Sequence, residues 1–110
     1  MSPTDERGTL IVTGASRGIG AATAELAARS GYAVAVNFNT GESDARSVVR
    51  SISAAGGRAF AIHADVSRED NIVRLFETAE AELGPIKALV NNAGVTGGFA
   101  RVEDVSETAI

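Results

Sequence analysis

The residues best suited to chemistry are Thr13-Gly14-Ala15-Ser16-Arg17-Gly18-Ile19-Gly20. A short apolar run, Leu10-Ile11-Val12, leads into them, and a helix-patterned run at 21–29 leads out. Strand, glycine turn and helix in that order make a phosphate cradle. Glycine lets the backbone turn sharply and approach a ligand closely. The start of a helix aims unpaired N–H groups and a partial positive charge at an anion. The chemistry implied is the binding of a dinucleotide.

Other polar features fall where neighbouring strands should end. Residues 9–13 are short, β-branched and apolar, as in a buried parallel strand. The following helix is expected to turn Ile19, Ala22, Leu26 and Ala27 inward, with Thr23 on the same side, and to end at Ser30-Gly31. A second strand at 33–36 gives way to a polar loop at 37–43 that holds Asn37, Asn39 and Gly41. The second helix buries Ala45, Val48, Val49 and Ile52 and stops at Gly56-Gly57. A third strand at 58–64 runs into Asp65-Val66. Ser67 can cap the third helix, with Asp70 at capping-box spacing, and that helix buries Ile72, Phe76, Ala79 and Leu83 before Gly84-Pro85. A fourth strand at 86–90 runs into Asn91-Asn92-Ala93-Gly94.

Strands alternate with helices three times, which is the pattern of an α/β doubly wound parallel sheet with helices on both faces. The expected strand order is 3-2-1-4, the larger part of a Rossmann sheet, with right-handed crossovers. Ligands of such sheets bind across the C-terminal strand ends where the order reverses, and all four polar features lie on that rim. Residues 1–8 read as a flexible N-terminus, and 9–110 as one dinucleotide-binding domain, incomplete at its C-terminal side. In the tail, 96–98 reads as flexible and Ser106 as the cap of another helix. The far edge of the fourth strand is expected to lack a partner, so the chain reads as part of a larger protein.

Composition excludes several other classes. The net charge is −4 and the basic residues are scattered, which argues against nucleic acid or an anionic membrane as the main partner. The absence of cysteine excludes disulfides and thiolate metal sites, and the lone His63 leaves no zinc set. No segment is long and apolar enough to span a bilayer, and 1–8 has no signal-peptide core, so a cytoplasmic protein is the default. Plainer readings stand beside the functional ones. The glycines could form only a tight turn, Asp65 could merely flank a helix, and Asn37 and Asn39 could be ordinary loop residues. Asn91 reads as a sheet support, His63 as a filler, and Glu77, Glu80 and Glu82 as a solvated face.

The spacing Thr-Gly-x-x-x-Gly-x-Gly, then Asp-Val, then Asn-Asn-Ala-Gly, resembles the short-chain dehydrogenase/reductase family, in the branch that includes β-ketoacyl-acyl-carrier-protein reductases. The resemblance runs from about Thr9 to Gly94. It implies that Gly14, Ser16, Arg17, Gly18, Ile19 and Gly20 hold the pyrophosphate and adenosine ribose of a nicotinamide cofactor. It implies that Asp65 and Val66 flank the adenine, and that Asn92, Ala93 and Gly94 pass under the nicotinamide ribose. It also implies a homo-oligomer, dimer or tetramer, and a small carbonyl or alcohol substrate touched here only by the loop at 95–99.

Cofactor choice follows from side-chain chemistry. NAD(H) usually meets an acid after the second strand, which accepts from the ribose 2′-hydroxyl. This chain has Asn37, Phe38 and Asn39 there, and no acid before Glu42. An acid would repel a 2′-phosphate, an amide does not, and Arg17 in the glycine turn can reach it. The expected cofactor is NADP(H) rather than NAD(H), and Arg17→Ala or Asn37→Asp is expected to shift preference towards NAD(H).

The chain departs from the family in one respect. The family's serine, Tyr-x-x-x-Lys pair and asparagine lie well beyond the Asn-Asn-Ala-Gly turn. Here Tyr32 precedes the second strand and is followed four residues on by Val36, and Lys87 opens the fourth strand, so neither fills those roles. The expectation is an oxidoreductase whose cofactor-binding half is this chain. The alternative is a truncated, non-catalytic nucleotide-binding module. A third reading, an epimerase-like relative, fits less well because those proteins carry Thr-Gly-x-x-Gly-x-x-Gly.

Overall fold

The computed structural model describes residues 7–92 and the backbone of 101–103. In chain order these form β1 (Thr9–Val12), α1 (Gly18–Arg29), β2 (Ala33–Phe38), α2 (Glu42–Ala54), β3 (Ala59–His63), α3 (Glu69–Leu83), β4 (Ile86–Asn91) and β5 (Arg101–Glu103). The sheet order is β3-β2-β1-β4-β5. The first four strands are parallel, in the 3-2-1-4 order read from the sequence. The expectation that β4 has a free outer edge is corrected. β5 pairs with it antiparallel, setting Leu89, Val90 and Asn91 opposite Glu103, Val102 and Arg101. A returning strand satisfies backbone groups that an open edge leaves unpaired. The expectations at 1–6, at 96–98 and at Ser106 lie outside the described residues.

Two apolar layers enclose the sheet. On one face Leu10, Val12, Val34, Val36 and Phe38 pack under α1 and α2, against Ala24, Ala27, Ala28, Val48 and Ile52. On the other, Ile11, Ala33, Ala35 and Ile62 pack under α3, against Leu75, Ala79 and Leu83. Large and small residues are matched across each seam: β2 offers valines where α1 offers alanines, and alanines where α3 offers leucines. Burying a Val, Leu or Ile side chain contributes about 1.5–3 kcal/mol, and β1 and β2 are buried along their whole length, with β1 at the centre of the sheet. Its buried Thr9 is tied to the end of α3, donating through Oγ1 to Gly84 O at 3.1 Å and through its amide to Pro85 O at 2.9 Å.

Glycines end the helices as the sequence suggests. After α1, Gly31 N donates to Ala28 O and Tyr32 N to Ala27 O. After α2, Gly56 N donates to Ser53 O and Gly57 N to Ile52 O. Both are Schellman closures, with Gly31 and Gly56 at φ +105° and +93°.

Expectations about the helices and about the loop after β2 are corrected. α1 begins at Gly18, inside the glycine turn, rather than at 21, and its buried residues are Gly20, Ala24, Ala27 and Ala28. Ile19 and Leu26 point outward, 65% and 58% exposed, and Ala22, also expected inward, is exposed. The helix approaches the sheet closely, and only residues without bulk fit between them. The loop after β2 is shorter than 37–43, because Asn37 and Phe38 belong to the strand and α2 starts at Glu42. α3 buries Leu75 along with Ala79 and Leu83, while Ile72 and Phe76 are only half-buried. Arg68, not Ser67, precedes its first residue, and no side chain caps it.

Ala24 is fully buried in the α1 seam. Ala24→Leu should therefore destabilise the protein by about 1–3 kcal/mol through overpacking, measured as a lower urea midpoint with an unchanged slope.

Candidate functional site

β1 ends at Val12, and the chain turns at Gly14 and Gly18, both left-handed at φ +60° and +64°. A residue with a Cβ pays about 1–2 kcal/mol to adopt that conformation. Arg17 between them is extended, at φ −161°, and stands at the head of α1. No side chain caps the first turn of this helix, and it contains no acid. Among the described residues, no N-cap side chain satisfies the leading N–H groups of the helix, which suits an anion.

The turn is held from both sides by strand ends. Thr13 N donates to Val90 O at 3.0 Å, and Thr13 Oγ1 donates to Asn91 Oδ1 at 3.1 Å. Asn92 Nδ2 donates to Gly14 O at 3.0 Å. From the β2 side, Gly14 N donates to Asn37 Oδ1 at 3.1 Å and Ala15 N to Asn37 O at 2.8 Å. Asn37 Nδ2 donates to Ile62 O at 3.3 Å and Ala64 O at 3.1 Å, at the end of β3. The C-terminal ends of four parallel strands thus meet around Gly14.

Gly20 closes the inner side of the turn. A Cβ there would run into Gly14 O, come within 2.8 Å of Asn92 Nδ2 and lie 3.0 Å from Ala15 Cα. Two of those neighbours are backbone and cannot retreat. The loop before α2 also comes close, since a Cβ on Gly41 would lie 3.1 Å from Ser16 Oγ. Ser16 and Arg17 line an open cavity of about 370 Å³ with Glu25, Asp44, Ser47 and Ser51. Arg17 and Asn39 are exposed, as is Ile19. Asn37 differs from Arg17 and Asn39. It lies inside β2, and its amide faces inward, 1% exposed.

Beyond β3, Asp65 Oδ1 accepts from Ser67 Oγ at 2.7 Å and Ser67 N at 3.0 Å. Ser67 is thus the partner of Asp65 rather than a helix cap. Two residues that the sequence reading missed hold this loop. Asn71 Oδ1 accepts from Asp65 N and from Arg74 Nη2, each at 3.0 Å, and Arg74 Nη1 donates to His63 O at 2.8 Å. An asparagine in the first turn of a helix, where it is a poor helix former, is the signal that could have found this bond. Ala93 and Gly94 lie outside the described residues. Among the described residues, no group of His, Cys, Asp and Glu could hold a metal ion.

The Ser67 hydroxyl, and then its backbone N–H, hold the Asp65 carboxyl below its ordinary value. The bonds favour the charged form, so their stabilisation is complete above the ordinary aspartate value of about 3.9 and is lost as pH falls through the lowered one. A carbon-detected pH titration should find Asp65 titrating below the ordinary aspartate value, and Ser67→Ala should raise its midpoint. Gly20→Ala should lower stability by about 1–3 kcal/mol, read in a urea melt.

Comparison with known proteins gives a consistent result. The sequence model of the family described as short chain dehydrogenase matches residues 8–110. The chain is 44% identical over 100 residues to an uncharacterized oxidoreductase, YgfF, of Escherichia coli, covering 91% of this chain and 40% of that protein. It is 43% identical over 86 residues to the 3-oxoacyl-[acyl-carrier-protein] reductase FabG of Staphylococcus epidermidis, covering 78% of this chain and 35% of that one. The crystal structure of a hydroxysteroid dehydrogenase from Escherichia coli superposes with a TM-score of 0.75 at 39% identity, over 82% of this chain and 37% of that one. The chain spans about 40% of the length of the curated relatives it matches. With the glycine turn at the rim and the family match over nearly its whole length, the chain belongs to the short-chain dehydrogenase family.

Proposed function

We propose that this chain is the cofactor-binding part of an NADP(H)-dependent oxidoreductase that moves hydride between nicotinamide and a ketone or secondary alcohol. One observation carries the reading: the uncapped start of α1, free of acids, emerges from a turn anchored to the ends of β2 and β4. That arrangement fits a pyrophosphate, whose negative charge meets the uncapped N–H groups and the helix dipole.

In this reading Gly14, Ser16, Arg17, Gly18, Ile19 and Gly20 hold the pyrophosphate and adenosine ribose. Asp65 accepts from the adenine amine with Val66 beside the ring, and Asn92, Ala93 and Gly94 run under the nicotinamide ribose. Among the described residues none donates to Asp65 Oδ2, so that oxygen can serve the adenine. Arg17 and Asn39 flank the 2′-phosphate. The cofactor supplies the hydride, and the chain supplies its orientation. Proton transfer is assigned to the part of the relatives' length that this chain does not span. The protein acts in the cytoplasm on a small molecule, as a dimer or tetramer, without nucleic acid or membrane. The net charge of −4, with basic residues scattered, supports the absence of a nucleic-acid partner. No helix among the described residues is long and apolar enough to cross a membrane.

Asp44 and Glu25 line the same cavity as Arg17, and they favour a second reading in which NAD(H) is used. Titration of the protein with NADPH and NADH, followed by nicotinamide fluorescence, separates the two. The expected result is tighter NADPH binding, reduced roughly 10- to 150-fold by Arg17→Ala, the range for losing a charge-assisted bond, with NADH little changed. Equal affinities in the unmodified protein overturn the NADP(H) assignment.

A further inference from the structure

We infer that Asn37 is a positioning residue for the phosphate-binding turn and does not itself touch the cofactor. The inference rests on the nicotinamide-cofactor reading above and assigns to Asn37 a different role from ribose recognition. Its side chain is 1% exposed. The amide makes three hydrogen bonds: it accepts from Gly14 N and donates to Ile62 O and Ala64 O. To reach a 2′-phosphate it would have to rotate out of the sheet, leaving one amide donor and two carbonyls without it in a buried setting. Buried polar groups left unpaired are costly, which opposes that rotation.

What the amide does instead follows from geometry. Parallel strands end at this rim, and the ladder that pairs their backbone groups stops there. Gly14 lies one residue past the last peptide that donates to β4. Its N–H points towards β2, where Asn37 Oδ1 receives it, and its φ of +60° redirects the chain that follows. The backbone of Asn37 takes the next N–H, that of Ala15. One residue thus sets the direction of two successive peptide units in the turn. Its donor side fixes it to β3, so the turn is registered against two strands at once. An amide is the group that meets this demand. A carboxylate could accept from Gly14 but would oppose two carbonyl oxygens at 3.3 and 3.1 Å.

The test is equilibrium titration of the protein and its Asn37→Asp and Asn37→Thr variants with NADPH and with NADH. The threonine substitution suits a strand and serves if the aspartate variant does not fold. A displaced turn weakens the grip on the pyrophosphate that both cofactors share. Both affinities should fall by the same factor, roughly 5- to 30-fold for a lost buried hydrogen bond, with their ratio unchanged. Loss of NADPH binding alone overturns the inference, because it marks direct contact with the 2′-phosphate. A lower melting temperature with unaltered affinities also overturns it, because the role is then only structural. Unmodified protein that binds neither cofactor removes the underlying reading and this inference with it, a result distinct from the other two. Amide exchange in the cofactor-free, unmodified protein tests it without any variant: Gly14 N–H should be protected, and free exchange there overturns the assignment.

Discussion

Gly14 presents an N–H and a C=O at the one place where the sheet can no longer pair them, and the rest of the rim is arranged around that demand. Two asparagines meet it, Asn37 accepting from the N–H and Asn92 donating to the C=O. Buried backbone groups without partners are rare because each is costly. With its own polar groups satisfied sideways, the turn can leave the first N–H groups of α1 uncapped. The helix end is open because the turn beneath it is closed.

Packing follows from the same requirement. α1 must start directly over the turn, and so its inner stripe is Gly20, Ala24, Ala27 and Ala28. Gly20 lies against Gly14 and Asn92 so closely that any side chain would push them apart. The seam beneath the helix and the cradle at its tip are one piece of geometry. On the opposite face α3 can be bulkier, with Leu75 and Leu83 over Ala33 and Ala35. There it serves the site indirectly, through Asn71 and Arg74 behind Asp65.

Much of this could be read from residue types. Short apolar runs alternating with helical stretches pointed to a doubly wound parallel sheet, and the Rossmann topology of such sheets to the order β3-β2-β1-β4. Ser30-Gly31 and Gly56-Gly57 marked helix ends because a left-handed residue is needed there. What escaped was whatever depended on the third dimension. Hydrophobicity pointed to the stripe of Ile19, Ala22 and Leu26 as the buried face of α1, whereas the helix turns the stripe of Gly20, Ala24, Ala27 and Ala28 to the sheet. Asn37 looked like a loop residue because asparagine is uncommon in strands; its partners are 23 to 27 positions away. Ser67 had the spacing of a cap, yet the nearer carboxylate of Asp65 took its hydroxyl. β5 has three residues, Arg101–Glu103, with no apolar run to announce it.

β3 is the outermost strand on its side of the sheet, and two of the three bonds that orient Asn37 end on the carbonyls of residues 62 and 64. Outer strands breathe more readily than central ones. An opening of β3 would release the amide and, through it, the peptide at Gly14. The order of the cradle is therefore governed from the periphery of the sheet. On warming, affinity for the proposed cofactor should fade before the molecule as a whole comes apart.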